Sequence, residues 1–244
     1  MVKLTVELIE NSMQFINPVR DRELDLRGYK IPTIENLGAT LDQFDTIDFS
    51  DNDIRKLDGF PLLKRIKTLF FNNNRIVRIA EGLEHCIPNL ENLMLTGNMI
   101  QELGDLEPLI PLKSLTNLCL LQNPVSAKPQ YRQYIIFRFP QLRLLDFRKI
   151  KLKEREAAIA YFKSNKGKEM AKEIAKKAKS QSNLGNDKPL TSMEERNKIR
   201  EAISNASSLE EVQRLSKLLQ SGHIPGEENL QNGNSTVEIM EEDD

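Results

Sequence analysis

Cysteine and histidine are scarce in this chain, which holds two of each among 244 residues. Cys86 and Cys119 are too few for a disulfide framework or a cysteine-rich zinc site, a pattern that suits a reducing compartment. No apolar run approaches the ~18 residues of a membrane span. The start, MVKLTVELIENSM, has acids inside its apolar stretch, unlike a signal peptide. The composition therefore predicts an intracellular protein of one or two domains.

The sequence also shows no recognisable catalytic motif. His85 and His223 have no Ser, Cys or carboxylate at a recognisable motif spacing. There is no glycine-rich phosphate loop. We therefore predict a protein that is not an enzyme and that has no cofactor, no metal and no small-molecule substrate.

Charge is balanced overall but segregated along the chain. The whole sequence has 35 Lys and Arg against 36 Asp and Glu, which gives no overall attraction to nucleic acid or to a membrane. Residues 148–179, however, hold 12 basic and 4 acidic groups, and residues 227–244 hold 7 acidic groups and no basic one. A near-neutral body is thus followed by a basic stretch and ends in an acidic tail.

One pattern recurs through the first 147 residues: apolar, two residues, apolar, one, apolar, two, Asn, one, apolar. The four copies are Phe44-Ile47-Phe49-Asn52-Ile54, Ile66-Leu69-Phe71-Asn74-Ile76, Leu90-Leu93-Leu95-Asn98-Ile100 and Leu115-Leu118-Leu120-Asn123-Val125. A degenerate copy, Leu24-Leu26-Tyr29-Ile31, precedes them, and Leu142-Leu145-Phe147 begins a sixth. The asparagines of the four copies are 22, 24 and 25 residues apart. This spacing lies within the ~20 to 29 residues of a leucine-rich repeat.

The repeat predicts an α/β solenoid in which each coil adds one strand to a concave parallel sheet. The alternation places two apolar side chains of each strand inside, and the Asn after the strand is expected to bond backbone groups as scaffold, not to bind a ligand. Thr5 is the predicted N-cap of a short helix that covers the first coil. The segment from Tyr131 to Asp146 resembles a leucine-rich-repeat C-terminal cap.

The outward strand positions are the predicted partner-binding residues. They are Asp25, Arg27, Asp48, Ser50, Phe70, Asn72, Met94, Thr96, Cys119 and Leu121. The first coils offer charge and hydroxyl groups, whereas the later coils offer apolar groups, and an exposed apolar patch over several coils indicates a binding surface suited to a helix. The alternative is that a loop or the C-terminal segment covers these residues within the chain.

The basic stretch from Arg148 to Lys179 has two interpretations. It is either a solvated helix stabilised by Glu–Lys pairs at three- and four-residue spacing, or a surface that contacts phosphates. Its aromatic content is limited to Tyr161 and Phe162, which argues against base stacking there. Later, Ser192 and Ser208 each begin a capping box and predict two short helices.

The predicted organisation has five parts. They are a repeat domain with caps over residues 1–163, a basic helix over 164–179, a linker over 180–191, a short helical segment over 192–222 and a disordered acidic tail over 223–244.

Three runs are more specific than the generic repeat. RDRELDLRGYKIP at Arg20–Pro32, ENLGATLDQFD at Glu35–Asp45 and IRKLDGFP at Ile54–Pro61 resemble the A-prime family of the spliceosomal U2 small nuclear ribonucleoprotein. The resemblance spans residues 1 to about 163 and reappears weakly around Ala202–Pro225.

The resemblance implies a nuclear, non-catalytic adapter in pre-mRNA splicing. It implies a concave face that holds a helix of an RNA-recognition-motif protein, B-double-prime, and helps that protein bind a stem-loop of U2 snRNA. Basic groups near the two ends of the solenoid then become candidates for RNA phosphates: Arg20, Arg22, Arg27, Lys149, Lys151 and Lys153. Two alternatives stay open, namely a regulatory adapter of a phosphatase or axonemal complex without RNA, and a scaffold without a stable partner.

Overall fold

The repeats become successive coils in the computed structural model, which describes residues 2–182. Within that range the strands are β1 (Gln14–Ile16), β2 (Arg22–Asp25), β3 (Thr46–Asp48), β4 (Lys56–Leu57), β5 (Thr68–Phe70), β6 (Arg78–Ile79), β7 (Asn92–Met94), β8 (Asn117–Cys119), β9 (Leu144–Leu145) and β10 (Arg148–Lys149). Eight of them form one sheet of order β1-β2-β3-β5-β7-β8-β9-β10, and β4 pairs with β6 in a second, small sheet. The strands from β2 to β9 run parallel, while β1 and β10 close the two edges as antiparallel strands. The predicted α/β solenoid with a concave parallel sheet is confirmed.

Helices occupy the returns of the coils and the two ends. They are α1 (Val6–Asn11), α2 (Leu83–Cys86), α3 (Tyr131–Arg138), α4 (Leu152–Lys163) and α5 (Asn165–Ser182), with 3-10 turns at Leu37–Thr40, Leu103–Leu109 and Pro124–Ala127. At the first end, the Thr5 hydroxyl accepts a hydrogen bond from the Leu8 amide at 3.1 Å, so Thr5 is the predicted N-cap of α1. None of these helices is long and apolar enough to cross a membrane.

The core fills the space between the sheet and the returns. In the parallel strands β3, β5 and β7 the central residues Ile47, Leu69 and Leu93 are fully buried, because alternate side chains of a strand point to opposite faces. Phe49 and Phe71, at equivalent positions of neighbouring coils, stack with ring centroids 5.0 Å apart. The apolar repeat therefore forms one continuous core along the solenoid.

The repeat asparagines join each coil to the one before it. Asn98, which is 4% exposed, accepts a hydrogen bond from the Ile76 amide at 3.0 Å. Its amide nitrogen donates to the carbonyl oxygens of Phe71 at 2.8 Å and Leu95 at 2.9 Å. Asn52, Asn74 and Asn123 make the same type of contacts, so the predicted scaffold role is confirmed.

The C-terminal cap extends beyond the last strand through α4 and α5. Phe162 of α4 is 4% exposed and stacks on Phe137 of α3 with centroids 4.8 Å apart. On α5, Met170, Ala171 and Ile174 pack against the core, which leaves the lysines Lys168, Lys172 and Lys176 on the exposed side. The basic helix is thus amphipathic and packs against the cap.

Two sequence predictions need correction at this end. Phe147, expected to point inward because it follows Leu145 in the alternation that begins a sixth repeat, is 65% exposed because β9 stops at Leu145 and the chain turns back into β10. Helix α5 continues through Ser182, so the first residues of the predicted linker are helical. The rest of the linker, the helical segment 192–222 and the tail 223–244 lie outside the described residues.

Candidate functional site

The strand register aligns the predicted partner-binding residues in rows. Asp25 pairs in register with Asp48, Asp48 with Phe70, Phe70 with Met94, and Met94 with Cys119. Residues two positions later on the chain, at Arg27, Ser50, Asn72, Thr96 and Leu121, continue this surface beyond the ends of the strands. We refer to the outward side of the main sheet as the concave face.

The concave face has a third row of residues that the sequence prediction did not include. Its members in register order are Glu23, Thr46, Thr68, Asn92, Asn117 and Leu144, and Lys149 pairs with Leu144 on the edge strand β10. These residues lie two positions before the predicted row, so the same two-residue alternation could have identified them. Their addition widens the surface to three rows about 7 Å apart along the strands.

The first coils give this face an acidic end. The Arg27 guanidinium donates to both carboxylate oxygens of Asp25, at 3.0 and 2.6 Å, and lies 3.6 Å from Asp48. The hydrogen bond from Arg27 lowers the pKa of Asp25, whereas burial raises the pKa of Asp48. One guanidinium therefore faces two carboxylates, and Glu23 on the adjoining row adds a third.

The middle coils give the face an apolar centre. Phe70 and Met94 are half-buried and neighbouring, and the polar groups around them are largely satisfied within the chain. The Asn72 amide donates to the Ser50 hydroxyl at 3.3 Å, and the Asn92 amide donates to the Thr68 hydroxyl at 2.9 Å. Because these neighbours bond one another, the face presents fixed polar margins around two apolar side chains.

Cys119 does not belong to the accessible part of this centre. It was expected to be exposed, yet it is only 1% exposed, and its Sγ lies 3.3 Å from the Thr96 hydroxyl. Leu121, two residues later, is 38% exposed. The prediction of an exposed apolar group is therefore wrong for Cys119, while Phe70, Met94 and Leu121 retain accessible surface.

The candidate RNA-contacting residues fall into two separate groups. Arg20, Arg22 and Arg27 lie by β2, and Lys149, Lys151 and Lys153 lie on β10 and at the start of α4. Six inter-strand spacings, or roughly 29 Å along a flat sheet, separate β2 from β10. The structure therefore does not bring the two groups into one patch.

The two groups also differ in whether their charged side chains contact other residues of the chain. The Arg22 guanidinium lies 5.0 Å from the centroid of the Phe44 ring and donates to Gln14 at 3.2 Å, and Arg27 is paired with Asp25. Lys149, Lys151 and Lys153 are exposed. Arg20 is exposed as well, so the C-terminal group presents three exposed cations to a phosphate, whereas in the N-terminal group Arg22 and Arg27 are engaged within the chain.

The histidines and the potential metal ligands complete the description of the site. His85 is exposed and lies 3.4 Å from Glu84, and His223 is outside the described range. No cluster of His, Cys, Asp and Glu suited to a metal occurs within residues 2–182.

Comparison with known proteins places these features in a family. A family model described as leucine-rich repeat matches residues 1–175. The U2 small nuclear ribonucleoprotein A' of Homo sapiens is 60% identical over 233 residues, with coverage of 93% of this chain and 91% of that protein. The probable U2 small nuclear ribonucleoprotein A' of Drosophila melanogaster is 59% identical over 238 residues, with coverage of 92% and 90%.

A solved structure from the same family is also similar to this chain. A chain in the crystal structure of the Drosophila melanogaster SNF/U2A' complex is 67% identical, with a TM-score of 0.70, and the match covers 71% of this chain and all of that chain. The matches to the curated relatives span most of both sequences. The chain therefore belongs to the A-prime family of the U2 small nuclear ribonucleoprotein, a family of spliceosomal leucine-rich-repeat proteins.

Proposed function

We propose that this chain is a non-catalytic adapter in pre-mRNA splicing, located in the nucleus. In this proposal its concave face binds an RNA-recognition-motif protein of the B-double-prime type and thereby assists the binding of that protein to a stem-loop of U2 snRNA. The observation that carries the proposal is the half-buried, neighbouring pair Phe70 and Met94 at the centre of the concave face. The A-prime-type chain of Drosophila, which occurs in a complex with SNF, supports it.

The dimensions of the face suit a helix. Three rows of side chains, each about 7 Å from the next along the strands, give a surface roughly 13 Å wide. An α-helix with its side chains is ~10–12 Å across. A helix lying across the strands would therefore contact Phe70 and Met94 with its apolar stripe and meet polar groups on both sides.

The distribution of charge on the concave face indicates which end of the solenoid would lie nearer to the RNA. The acidic end at Glu23, Asp25 and Asp48 would repel phosphates, whereas the exposed Lys149 and Lys151 at the other end would attract them. RNA held by the partner is therefore expected to approach the C-terminal end of the solenoid.

The test is the affinity of the B-double-prime-type protein for the U2 stem-loop with and without this chain. We expect the chain to tighten RNA binding, and the difference to shrink as salt rises, because phosphate contacts depend on counterion release. A complex that forms without any gain in RNA affinity would contradict the RNA part of the proposal and favour an adapter without RNA. No complex at all would contradict the proposal as a whole.

A further inference from the structure

The hairpin that closes the sheet exposes an aromatic side chain in an unusual backbone conformation. We call this segment, Leu144–Lys149, the terminal hairpin. Asp146 and Phe147 form its turn with φ values of 52° and 59°, the left-handed region that non-glycine residues seldom occupy. Phe147 is 65% exposed. A bulky residue seldom adopts this conformation and persists in it only when its surroundings impose it.

The surroundings do impose the turn. The Asp146 carboxylate accepts a hydrogen bond from the Leu120 amide at 2.8 Å and another from the Tyr131 hydroxyl at 2.9 Å. Burial raises the pKa of Tyr131, so its hydroxyl remains a donor at physiological pH. Arg132, paired with Glu154, donates to the Leu145 carbonyl at 3.2 Å. Phe147 is therefore presented on a rigid support.

Basic residues follow Phe147 on both sides of the ribbon. Lys149 is opposite Leu144, whose strand neighbour is Asn117, so Lys149 lies on the concave side. Arg148 is opposite the buried Leu145 and thus lies on the other side. Both are exposed. A rigid aromatic ring with a cation on each side of the ribbon is the combination that single-stranded nucleic acid binds, through base stacking and phosphate contacts.

We propose that Phe147 is a stacking platform for an unpaired base of RNA and that Arg148 and Lys149 hold the phosphates beside that base. The proposal rests on the function proposed above, because the RNA would reach the hairpin when held by the protein partner. Leu121, exposed after the neighbouring strand, would allow a protein contact at Phe147 instead, and the experiment separates the two.

The experiment uses the full chain, the B-double-prime-type protein and a fluorescein-labelled U2 stem-loop. Two affinities are measured for each variant: that of the protein complex for the RNA, and that of the two proteins for each other without RNA. The variants are Phe147→Ala, Phe147→Tyr, which retains an aromatic ring, and Leu152→Ala. Leu152 is a matched control because it is 72% exposed and close in sequence but has no aromatic face.

We expect Phe147→Ala to weaken RNA binding by about 5- to 150-fold, the range measured for loss of one stacked base. Phe147→Tyr and Leu152→Ala should bind RNA like wild type, and all three variants should bind the protein partner unchanged. The salt dependence should stay the same for Phe147→Ala and become shallower for a double Arg148→Ala, Lys149→Ala variant.

Two results would overturn the stacking site. One is unchanged RNA binding by Phe147→Ala while the wild-type chain still tightens RNA binding, which would leave the proposed function standing. The other is a weaker protein complex without RNA, which would assign Phe147 to the protein interface. If the wild-type chain gives no gain in RNA affinity, both this site and the RNA part of the proposed function fail together.

Discussion

At the scale of single residues, the asparagine of each repeat is a buried side-chain link between neighbouring coils. Asn98 bonds one backbone amide and two carbonyls, none of which can reach water at that position. A buried backbone group that loses its partner costs about 1–3 kcal/mol, which is more than the average worth of a hydrogen bond. The ladder therefore makes the coils depend on one another.

This dependence predicts the effect of Asn98→Ala. We expect the free energy of unfolding to fall by about 2–4 kcal/mol because the Ile76 amide and the Phe71 carbonyl lose their side-chain partner, while the Leu95 carbonyl keeps a hydrogen bond from the Asn123 amide at 2.7 Å. Urea denaturation followed by circular dichroism measures it. Asn89→Ala is the control, because Asn89 is exposed and makes a single hydrogen bond, to the Lys64 carbonyl. Equal losses for the two variants would contradict the ladder as the source of stability.

A second residue-scale prediction concerns Asp45 and pH. Asp45 is 6% exposed, and hydrogen bonds from Arg65, the Arg22 amide and Lys67 hold its pKa at about 2. Since the folded pKa lies below the unfolded value, the stabilisation is complete above about pH 4 and is lost as pH falls toward 2. Asp45→Asn should therefore lower stability by about 1–2 kcal/mol at neutral pH, and the difference from wild type should shrink in acid. A constant difference from pH 7 to pH 2.5 in urea titrations would contradict this assignment.

Sequence reasoning identified the asparagines because residue type and spacing together specify their role. It could not place Cys119 or Phe147, since their exposure depends on residues distant in sequence. Phe147 is turned outward by the hydrogen bonds that Asp146 makes with Leu120 and Tyr131. Cys119 is buried although its strand position points to the concave face. Period and composition carry no information about such contacts.

At the scale of elements, helix α4 makes hydrogen bonds that stabilise the C-terminal cap. Arg155 of α4 donates to the carbonyl of Leu142 at 2.6 Å and to those of Ile136 and Phe139 at 3.3 and 3.4 Å. Ile136 and Phe139 lie in the last turn and at the C-cap of α3, where helical amides run out. The Phe139 carbonyl also accepts from the Leu142 amide at 3.1 Å, so Arg155 supplies an additional donor there and the donor for Ile136 and Leu142. One arginine of the basic stretch is therefore structural and is not a charge available to RNA.

The role of Arg155 can be tested by a matched pair of substitutions. Arg155→Met keeps an apolar stem but removes the donors, and we expect it to lower stability by about 1–3 kcal/mol. Lys153→Met removes an exposed charge from the same helix and should change stability by less than about 0.5 kcal/mol. Thermal unfolding of both variants gives the comparison. A result in which Lys153→Met is as destabilising as Arg155→Met would contradict the capping role.

The sequence indicated a basic helix but not which side of it is available. Apolar residues at Met170, Ala171 and Ile174 have helical spacing and pack against the core, so the lysines on the opposite side remain exposed. The division between structural and available charges in residues 148–179 required the packing of α3, α4 and α5. Charge counts alone treat Arg155 and Lys153 as equivalent.

At the scale of the whole repeat domain, the concave face changes character from one end to the other. Carboxylates occupy its first coils, Phe70 and Met94 its centre, and Lys149 its last strand. Under the proposed function, a protein helix binds at the centre and phosphates bind at the last strand, because each region offers the chemistry that such a partner needs. The account predicts that protein binding and RNA binding can be weakened separately.

The most direct measurement is the affinity of the B-double-prime-type protein for two double variants of this chain, by calorimetry without RNA. Phe70→Asp, Met94→Asp places charges at the apolar centre, while Val77→Asp, Met99→Asp places them at exposed apolar residues outside the main strands. We predict that the first variant loses at least a hundredfold in affinity with its circular dichroism unchanged, and that the second binds like wild type. Wild-type affinity in the first variant, or equal losses in both, would contradict the concave face as the binding site.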